Sequence, residues 1–126
     1  MLDHIGIEVT DYEKSKAFYK TILAPLGYIL IMEVGGFAGF GSNEKETGPI
    51  AQFWIHQDNA PAKSLHLAFK SKNRKTVDEF YNTALKAGAR DNGKPGLRKI
   101  YHENYYGAFI LDPDGHNIEA VCHQAE

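Results

Sequence analysis

An internal repeat of 62 residues is the feature that most limits how this 126-residue chain can fold. Sliding the sequence by 62 positions (66 − 4) places His4 on His66 and Phe18-Tyr19 on Phe80-Tyr81. In each copy an alternating segment leads into a segment with helical spacing. Units this short bury their apolar faces by packing together, and a pseudo-twofold axis would bring equivalent side chains to a common centre. The repeat therefore predicts two histidines on equivalent strands.

The first copy has the pattern of a strand, a helix and three more strands. Residues 2–9 alternate, with His4, Gly6 and Glu8 on the polar side. Thr10 and Glu13 have the spacing of a capping box, which predicts that a helix begins there. Glycines then divide residues 28–56 into three short strands.

The second copy repeats this order after a polar linker at Gln57–Lys63. Its last two strands are predicted on either side of Asp112-Pro113-Asp114-Gly115, which has proline and glycine at favoured turn positions. We therefore expect an α+β protein of one domain, residues 1–126, built from paired βαβββ modules. The modules are predicted at about residues 2–57 and 64–123.

Composition favours a small-molecule ligand. The formal net charge is −2 and no basic stripe is present, which argues against binding to nucleic acid. No apolar run approaches the 18 residues of a membrane-spanning helix. The single cysteine, Cys122, excludes a disulfide within the chain, and the first residues lack a signal-peptide pattern. A cytoplasmic protein is expected.

Glu119 adds a carboxylate to the two repeated histidines. It alternates against Ile118 and Ala120 in the last strand, which puts it on the face equivalent to that of His4 and His66. Two imidazoles and a carboxylate on rigid strands can occupy one face of an octahedral ion and leave positions for substrate. We predict one divalent ion at His4, His66 and Glu119, with zinc, nickel, manganese and iron(II) all compatible.

Three stretches resemble the vicinal oxygen chelate superfamily, which includes glyoxalase I, extradiol dioxygenases, fosfomycin resistance enzymes and bleomycin resistance proteins. They are residues 4–9 with 18–19, residues 66–69 with 80–81, and residues 112–119. The 101–123 segment is similar to a microbial branch known only as glyoxalase, bleomycin resistance or dioxygenase-like. The resemblance implies a curved sheet around a central cleft, a metal-dependent lyase, isomerase or dioxygenase-like reaction, and a homodimer.

One departure from glyoxalase I concerns its second glutamate, which comes from the first module. Matching the sequence motifs places Trp54 at that position, whereas the strict 62-residue offset places Gln57 there. Neither side chain is a carboxylate. The resemblance therefore favours a site with three protein ligands, as in the extradiol dioxygenases, over glyoxalase I chemistry.

Other polar and aromatic residues are candidates by position alone. An imidazole or phenol beside a Lewis-acidic ion can move a proton next to a chelated carbonyl. The catalytic candidates are His56, His102 and Tyr101, and the substrate-binding candidates are Trp54, Arg98, Tyr105 and Tyr106.

A metal-free binding module is the alternative function. In that case the paired modules would enclose an aromatic cleft that sequesters a drug or metabolite without turnover. A binder of bleomycin, which is cationic, would favour a strongly acidic cleft, and a net charge of −2 gives this little support.

Overall fold

The structure is a computed structural model that describes residues 2–44, 48–59 and 65–126. The chain separates into two compact units, Met1–Ala62 and Lys63–Glu126. The predicted linker Gln57–Lys63 lies partly outside the described residues, because these stop at residue 59 and resume at residue 65.

The first unit is a mixed sheet with one helix and one short 3₁₀ turn. The elements are β1 (Ile5–Val9), α1 (Tyr12–Ile22), the turn Ala24–Leu26, β2 (Tyr28–Val34), β3 (Phe37–Glu44), β4 (Gly48–Pro49) and β5 (Phe53–Gln57). The strand order is β1-β5-β3-β2, with the short β4 beside β3. Strands β1 and β5 are parallel, and the other pairs are antiparallel.

The second unit repeats this arrangement. The elements are β6 (His66–Lys70), α2 (Arg74–Lys86), β7 (Arg90–Leu97), β8 (Tyr106–Leu111) and β9 (Asn117–Cys122). Its strand order is β6-β9-β8-β7, with β6 parallel to β9 and the other pairs antiparallel. Two βαβββ-like modules with the same strand order confirm the predicted α+β fold.

The two helices begin at equivalent residues of the repeat. The Asp11 carboxylate accepts a hydrogen bond from the Lys14 backbone N–H at 3.1 Å, and the Asn73 side-chain oxygen accepts one from Thr76 at 2.9 Å. The capping box predicted at Thr10 is therefore wrong by one residue, because the carboxylate of Asp11 reaches the free N–H groups of the first turn. Of the helices in the described segments, neither is long and apolar enough to cross a membrane.

Each unit has its apolar core between its helix and one face of its sheet. In the first unit the Tyr19 ring of α1 lies 4.9 Å from the Phe53 ring of β5. In the second, α2 packs on β7, β8 and β9, and its Phe80 is fully buried together with Ile110 and Ile118. In the second sheet, the face away from the helix carries Glu119 and Phe109.

The hairpin between β8 and β9 sets the register of the second sheet. The Asp112 carboxylate accepts hydrogen bonds from the backbone N–H groups of Asp114 at 2.9 Å and His116 at 2.8 Å. Gly115 has φ +86°, a left-handed conformation that glycine adopts without strain. The turn aligns Leu111 with Asn117, so Phe109 faces Glu119.

Candidate functional site

Glu119 lies in the middle of the second sheet, on the face away from α2. It is aligned with Ala68 of β6 on one side and with Phe109 of β8 on the other. Its side chain is only 1% exposed. A methyl group at Gly107 would come within 3.1 Å of the Glu119 Oε1 atom, so this glycine leaves the space that the carboxylate fills. A buried carboxylate needs partners for its oxygens.

Two side chains supply those partners. His66 Nε2 lies 2.9 Å from Glu119 Oε2, and the Tyr105 hydroxyl donates a short hydrogen bond to Glu119 Oε1. Burial and the hydrogen bond to Glu119 raise the pKa of Tyr105 above its ordinary value, so this phenol keeps its proton at neutral pH. The His66 ring remains half exposed, at 52%. Glu119 therefore stands between a partly buried phenol and an accessible imidazole.

The His66 and Glu119 pair suits a divalent metal. Imidazole nitrogen and carboxylate oxygen are common ligands of the first-row ions. Two ligands bonded at about 2.1 Å and at right angles lie about 3 Å apart, close to the 2.9 Å between Nε2 and Oε2. Within each unit, the described residues contain no group of three His, Cys, Asp or Glu side chains that could hold an ion. The second unit brings two such donors together, His66 and Glu119.

Four rings form a cluster where the loop ahead of β8 meets the end of β9, and one of them, Tyr105, contacts Glu119. The Tyr105 ring is 5.1 Å from Tyr101 and 5.3 Å from His123, which is 5.6 Å from His102. Tyr101 is 65% exposed. The backbone N–H of Asn104 donates to His102 Nδ1 at 3.2 Å, so neutral His102 carries its proton on Nε2. The predicted Tyr101, His102 and Tyr105 therefore cluster with His123, and Tyr105 connects this cluster to the carboxylate.

Phe109 lies close to both His66 and Arg98 on the sheet face that carries Glu119. Its ring is 6.3 Å from the His66 ring and 5.5 Å from Arg98 Cζ. Phe109 was not among the predicted site residues. The sequence could have identified it, because a turn at Asp112 to Gly115 pairs the strands on either side in a register that sets Phe109 opposite Glu119.

Tyr106 lies on the other face of the second sheet. Its hydroxyl donates to Asp78 of α2 at 2.7 Å, and Arg74 lies 5.2 Å from its ring. Burial, with the hydrogen bond to Asp78, raises the pKa of Tyr106 to about 12. This predicted substrate-binding residue is therefore packed against the helix and not brought together with Glu119.

Trp54 occupies the position in the first sheet that Glu119 occupies in the second. It is aligned with Gly6 of β1 and Gly39 of β3, just as Glu119 is aligned with Ala68 and Phe109. The sequence left Trp54 and Gln57 open for this position, and the strand register selects Trp54. No carboxylate stands at the equivalent of Glu119 in the first unit.

The remaining predicted residues, His56 and His4, both belong to the first unit. His56 stacks on Phe37 with ring centres 4.8 Å apart, and its Nδ1 is buried without a hydrogen-bond partner among the described residues. His4 precedes β1 with its side chain 61% exposed, and its Nδ1 lies 2.6 Å from the Asp3 carboxylate.

Comparisons with known proteins agree with this architecture. The family model of the Glyoxalase/Bleomycin resistance protein/Dioxygenase superfamily matches residues 1–120. A glyoxalase/bleomycin resistance protein from Albidiferax ferrireducens T118 is 26% identical, with a TM-score of 0.80 over 97% of this chain and 98% of that chain. No curated protein matches the sequence significantly.

More distant structures share the fold. A glyoxalase/bleomycin resistance protein/dioxygenase family enzyme from Burkholderia phytofirmans PsJN is 17% identical, with a TM-score of 0.73 over 97% of this chain and 98% of that one. The fosfomycin resistance protein FosX from Listeria monocytogenes is 19% identical, with a TM-score of 0.71 over 97% of this chain and 92% of that one.

Proposed function

Because the chain belongs to the Glyoxalase/Bleomycin resistance protein/Dioxygenase superfamily, we propose that it is a metal-dependent enzyme in which His4, His66 and Glu119 hold one divalent ion. The substrate is a small molecule that chelates through two neighbouring oxygens. When bound, the ion would polarise a substrate carbonyl and stabilise the charge that develops on it.

The pairing of a buried Glu119 with a half-exposed His66 carries this proposal. A buried carboxylate costs free energy relative to an apolar residue of similar volume. A glutamate that is 1% exposed at the centre of this sheet, next to an accessible imidazole, therefore favours a ligand role for both side chains. The distance of 2.9 Å between Nε2 and Oε2 suits two neighbouring ligands of one ion.

Residues around Glu119 have separate roles in the proposal. Tyr105 holds Glu119 Oε1 through its hydroxyl and so leaves Oε2 to face His66. His102 carries a proton on Nε2 when neutral, which suits it to donate a hydrogen bond to a substrate oxygen on which negative charge develops. Tyr101 is exposed enough to contact the substrate. His56, with Nδ1 unbonded within the described segments, is the imidazole suited to take a proton.

The reaction differs from that of glyoxalase I in this proposal. The first unit has Trp54 where a second carboxylate would be needed, so proton transfer relies on imidazole and phenol groups. In this proposal Trp54 contacts the apolar part of the substrate. A lyase, isomerase or dioxygenase-like step is consistent with three protein ligands and open coordination positions. The proposal includes a homodimer and a cytoplasmic location.

Metal content provides the test. Protein purified without a polyhistidine tag is analysed by mass spectrometry for bound metals and titrated with nickel and zinc by calorimetry. We expect one ion per chain in the wild type and loss of the ion in His66→Ala and Glu119→Gln. Glu79→Gln is the matched control, because Glu79 is a carboxylate on α2 that pairs with Lys75 at 3.8 Å.

A metal-free module that binds a small molecule is the second candidate. It is favoured by the fact that both oxygens of Glu119 already have partners within the chain. Wild-type protein without metal, whose melting temperature does not change when nickel or zinc is added, would support this candidate and contradict the enzyme proposal.

A further inference from the structure

Arg98 places a fixed cation on the face of the second sheet that carries Glu119. Its Nη2 donates to the Lys94 carbonyl at 2.6 Å, and its Cζ lies 5.5 Å from the centre of the Phe109 ring. These contacts hold the guanidinium to the sheet and limit its freedom to turn into solvent. A cation already held in place loses less entropy when it binds a partner.

The Arg98 guanidinium has more hydrogen-bond donors than its contact with Lys94 uses. It carries five N–H donors, and the hydrogen bond to Lys94 uses one of them. Among the described residues, no carboxylate forms an ion pair with Arg98. The neighbouring Lys99 does have a carboxylate partner, since its Nζ lies 3.5 Å from Glu103 Oε1 in the same loop. Arg98 therefore keeps its charge available for a ligand.

Two glycines make room for this side chain. A methyl group at Gly96 would come within 3.1 Å of Arg98 Nη1, and one at Gly93 would lie 3.4 Å from Nη2. Gly93 has φ +150° in β7, and a methyl group there would also meet the Phe109 ring at 2.9 Å. The two glycines of β7 thus leave space for both the Arg98 guanidinium and the Phe109 ring.

We propose that Arg98 is an oxyanion subsite and that the substrate carries a carboxylate or phosphate group on the side of Phe109 away from His66. Phe109 lies close to both groups, 6.3 Å from the His66 ring, and offers an apolar floor for the part of the substrate between them. The fork of a guanidinium matches the oxygen spacing of either anion. This inference rests on the proposed function, because it places the chelated oxygens at His66 and Glu119.

Three hydroxy acids test the subsite. Lactate, malate and 3-phosphoglycerate share the hydroxy-acid group that chelates a metal, and they end in a methyl, a carboxylate and a phosphate. Their affinities are measured by calorimetry on nickel-loaded protein, and again with EDTA present. The variants are Arg98→Met and Arg98→Lys, and Lys99→Met is the control that removes a neighbouring cation.

The wild type is expected to bind malate or 3-phosphoglycerate about 10-fold more tightly than lactate, the scale of a charge-assisted hydrogen bond. Arg98→Met is expected to abolish this preference while lactate binding stays unchanged. Arg98→Lys should keep part of it, and Lys99→Met all of it. The better of the two anionic probes identifies the anion. Melting curves confirm that each variant is folded.

The outcomes separate this inference from the proposed function. A preference for the anionic probes that survives in Arg98→Met overturns the subsite, and so does failure of all three probes to bind. Binding that persists with EDTA and depends on Arg98 supports the subsite even if lactate shows no metal-dependent binding. That last result would contradict only the metal-dependent enzyme.

Discussion

Each sheet has a central row of three residues that are aligned across neighbouring strands. The strand pairing is the same in the two rows, but their side chains differ in size and polarity. In the first sheet the row is Gly6, Trp54 and Gly39, and in the second it is Ala68, Glu119 and Phe109. Trp54 is large and apolar and fills the space that the glycine on β3 leaves. In the second row the large ring is on β8, and the central position holds a buried carboxylate.

This difference shows how a duplicated sheet can give two kinds of site. A parallel pair of strands fixes where the central side chain stands, because residues aligned across a sheet share a face. The side-chain volume is then divided differently between the strands. In the first row a central tryptophan stands between two glycines, and in the second a central glutamate stands beside a phenylalanine. Substitutions at Tyr105 and Gly39 test whether each row depends on this division, and substitutions at the helix starts and at Tyr106 test the rest of the two units.

Tyr105→Phe tests the charge of the second row and should have the largest effect. It removes the donor to a buried carboxylate, so we expect a loss of about 1.5–3 kcal/mol in the free energy of unfolding. Urea denaturation measures it. Tyr101→Phe is the matched control, because Tyr101 is 65% exposed and should change stability by less than about 0.5 kcal/mol. Equal effects of the two variants would contradict the importance of the hydrogen bond.

Gly39→Ala tests the packing of the first row. The added methyl group would lie 2.8 Å from two atoms of the Trp54 ring and from Ala51 Cβ, so overpacking should cost about 1–2 kcal/mol. Gly6→Ala is the control on the other side of Trp54, where the nearest atom is 3.8 Å away. It should be neutral or slightly stabilising. Thermal denaturation of both variants decides, and a loss in Gly6→Ala as large as in Gly39→Ala would contradict the prediction.

Asp11→Ala and Asn73→Ala test whether the helices of the two units are equivalent. Each removes a hydrogen bond to the first turn and should cost about 1 kcal/mol, measured by urea denaturation. The swaps Asp11→Asn and Asn73→Asp keep an acceptor and should change stability little. A cost in one helix and none in the other would break the equivalence.

The pH dependence of stability should show the smallest effect, and in the second unit Tyr106 is the group that tests it. The pKa of Tyr106 is raised to about 12 from an ordinary value near 10, chiefly by burial and then by the hydrogen bond to Asp78. The folded state therefore holds this proton more tightly, and its stabilising contribution is lost as pH rises from about 10 towards 12. Urea denaturation at pH 9 and 11 should show a smaller loss in Tyr106→Phe than in the wild type. An identical loss would refute this.

Much of the fold followed from local sequence patterns. The alternation of residues 2–9, the helical spacing after them and the turn at Asp112 predicted both modules, and the structure has their strands and helices in the same order. Such patterns are reliable because they reflect which side of each element is buried. The start of α1 was missed by one residue, since Thr10 and Asp11 are both good capping residues.

The site was predictable in part. The alternation in β9 identified Glu119 as a carboxylate on the polar face, and β6 contributed His66. Tyr105 was named without its partner, because the loop ahead of β8 has no periodicity that fixes where its side chains point. The orientation of Tyr106 was missed for a similar reason, as one residue decides which face of a strand a side chain occupies.

The sequence alone determined the repeat, the α+β modules and the equivalence of His4 and His66. Tertiary structure decided which residue of the first unit corresponds to Glu119. Trp54 lies 48 residues after Gly6 (54 − 6), whereas Glu119 lies 51 after Ala68 (119 − 68), so a constant offset fails. Only the hydrogen-bonded register between parallel strands identifies the equivalent, because strand pairing depends on contacts between segments far apart in the chain. The pairing of His66, Glu119 and Tyr105 was decided in the same way, since the three come from different elements.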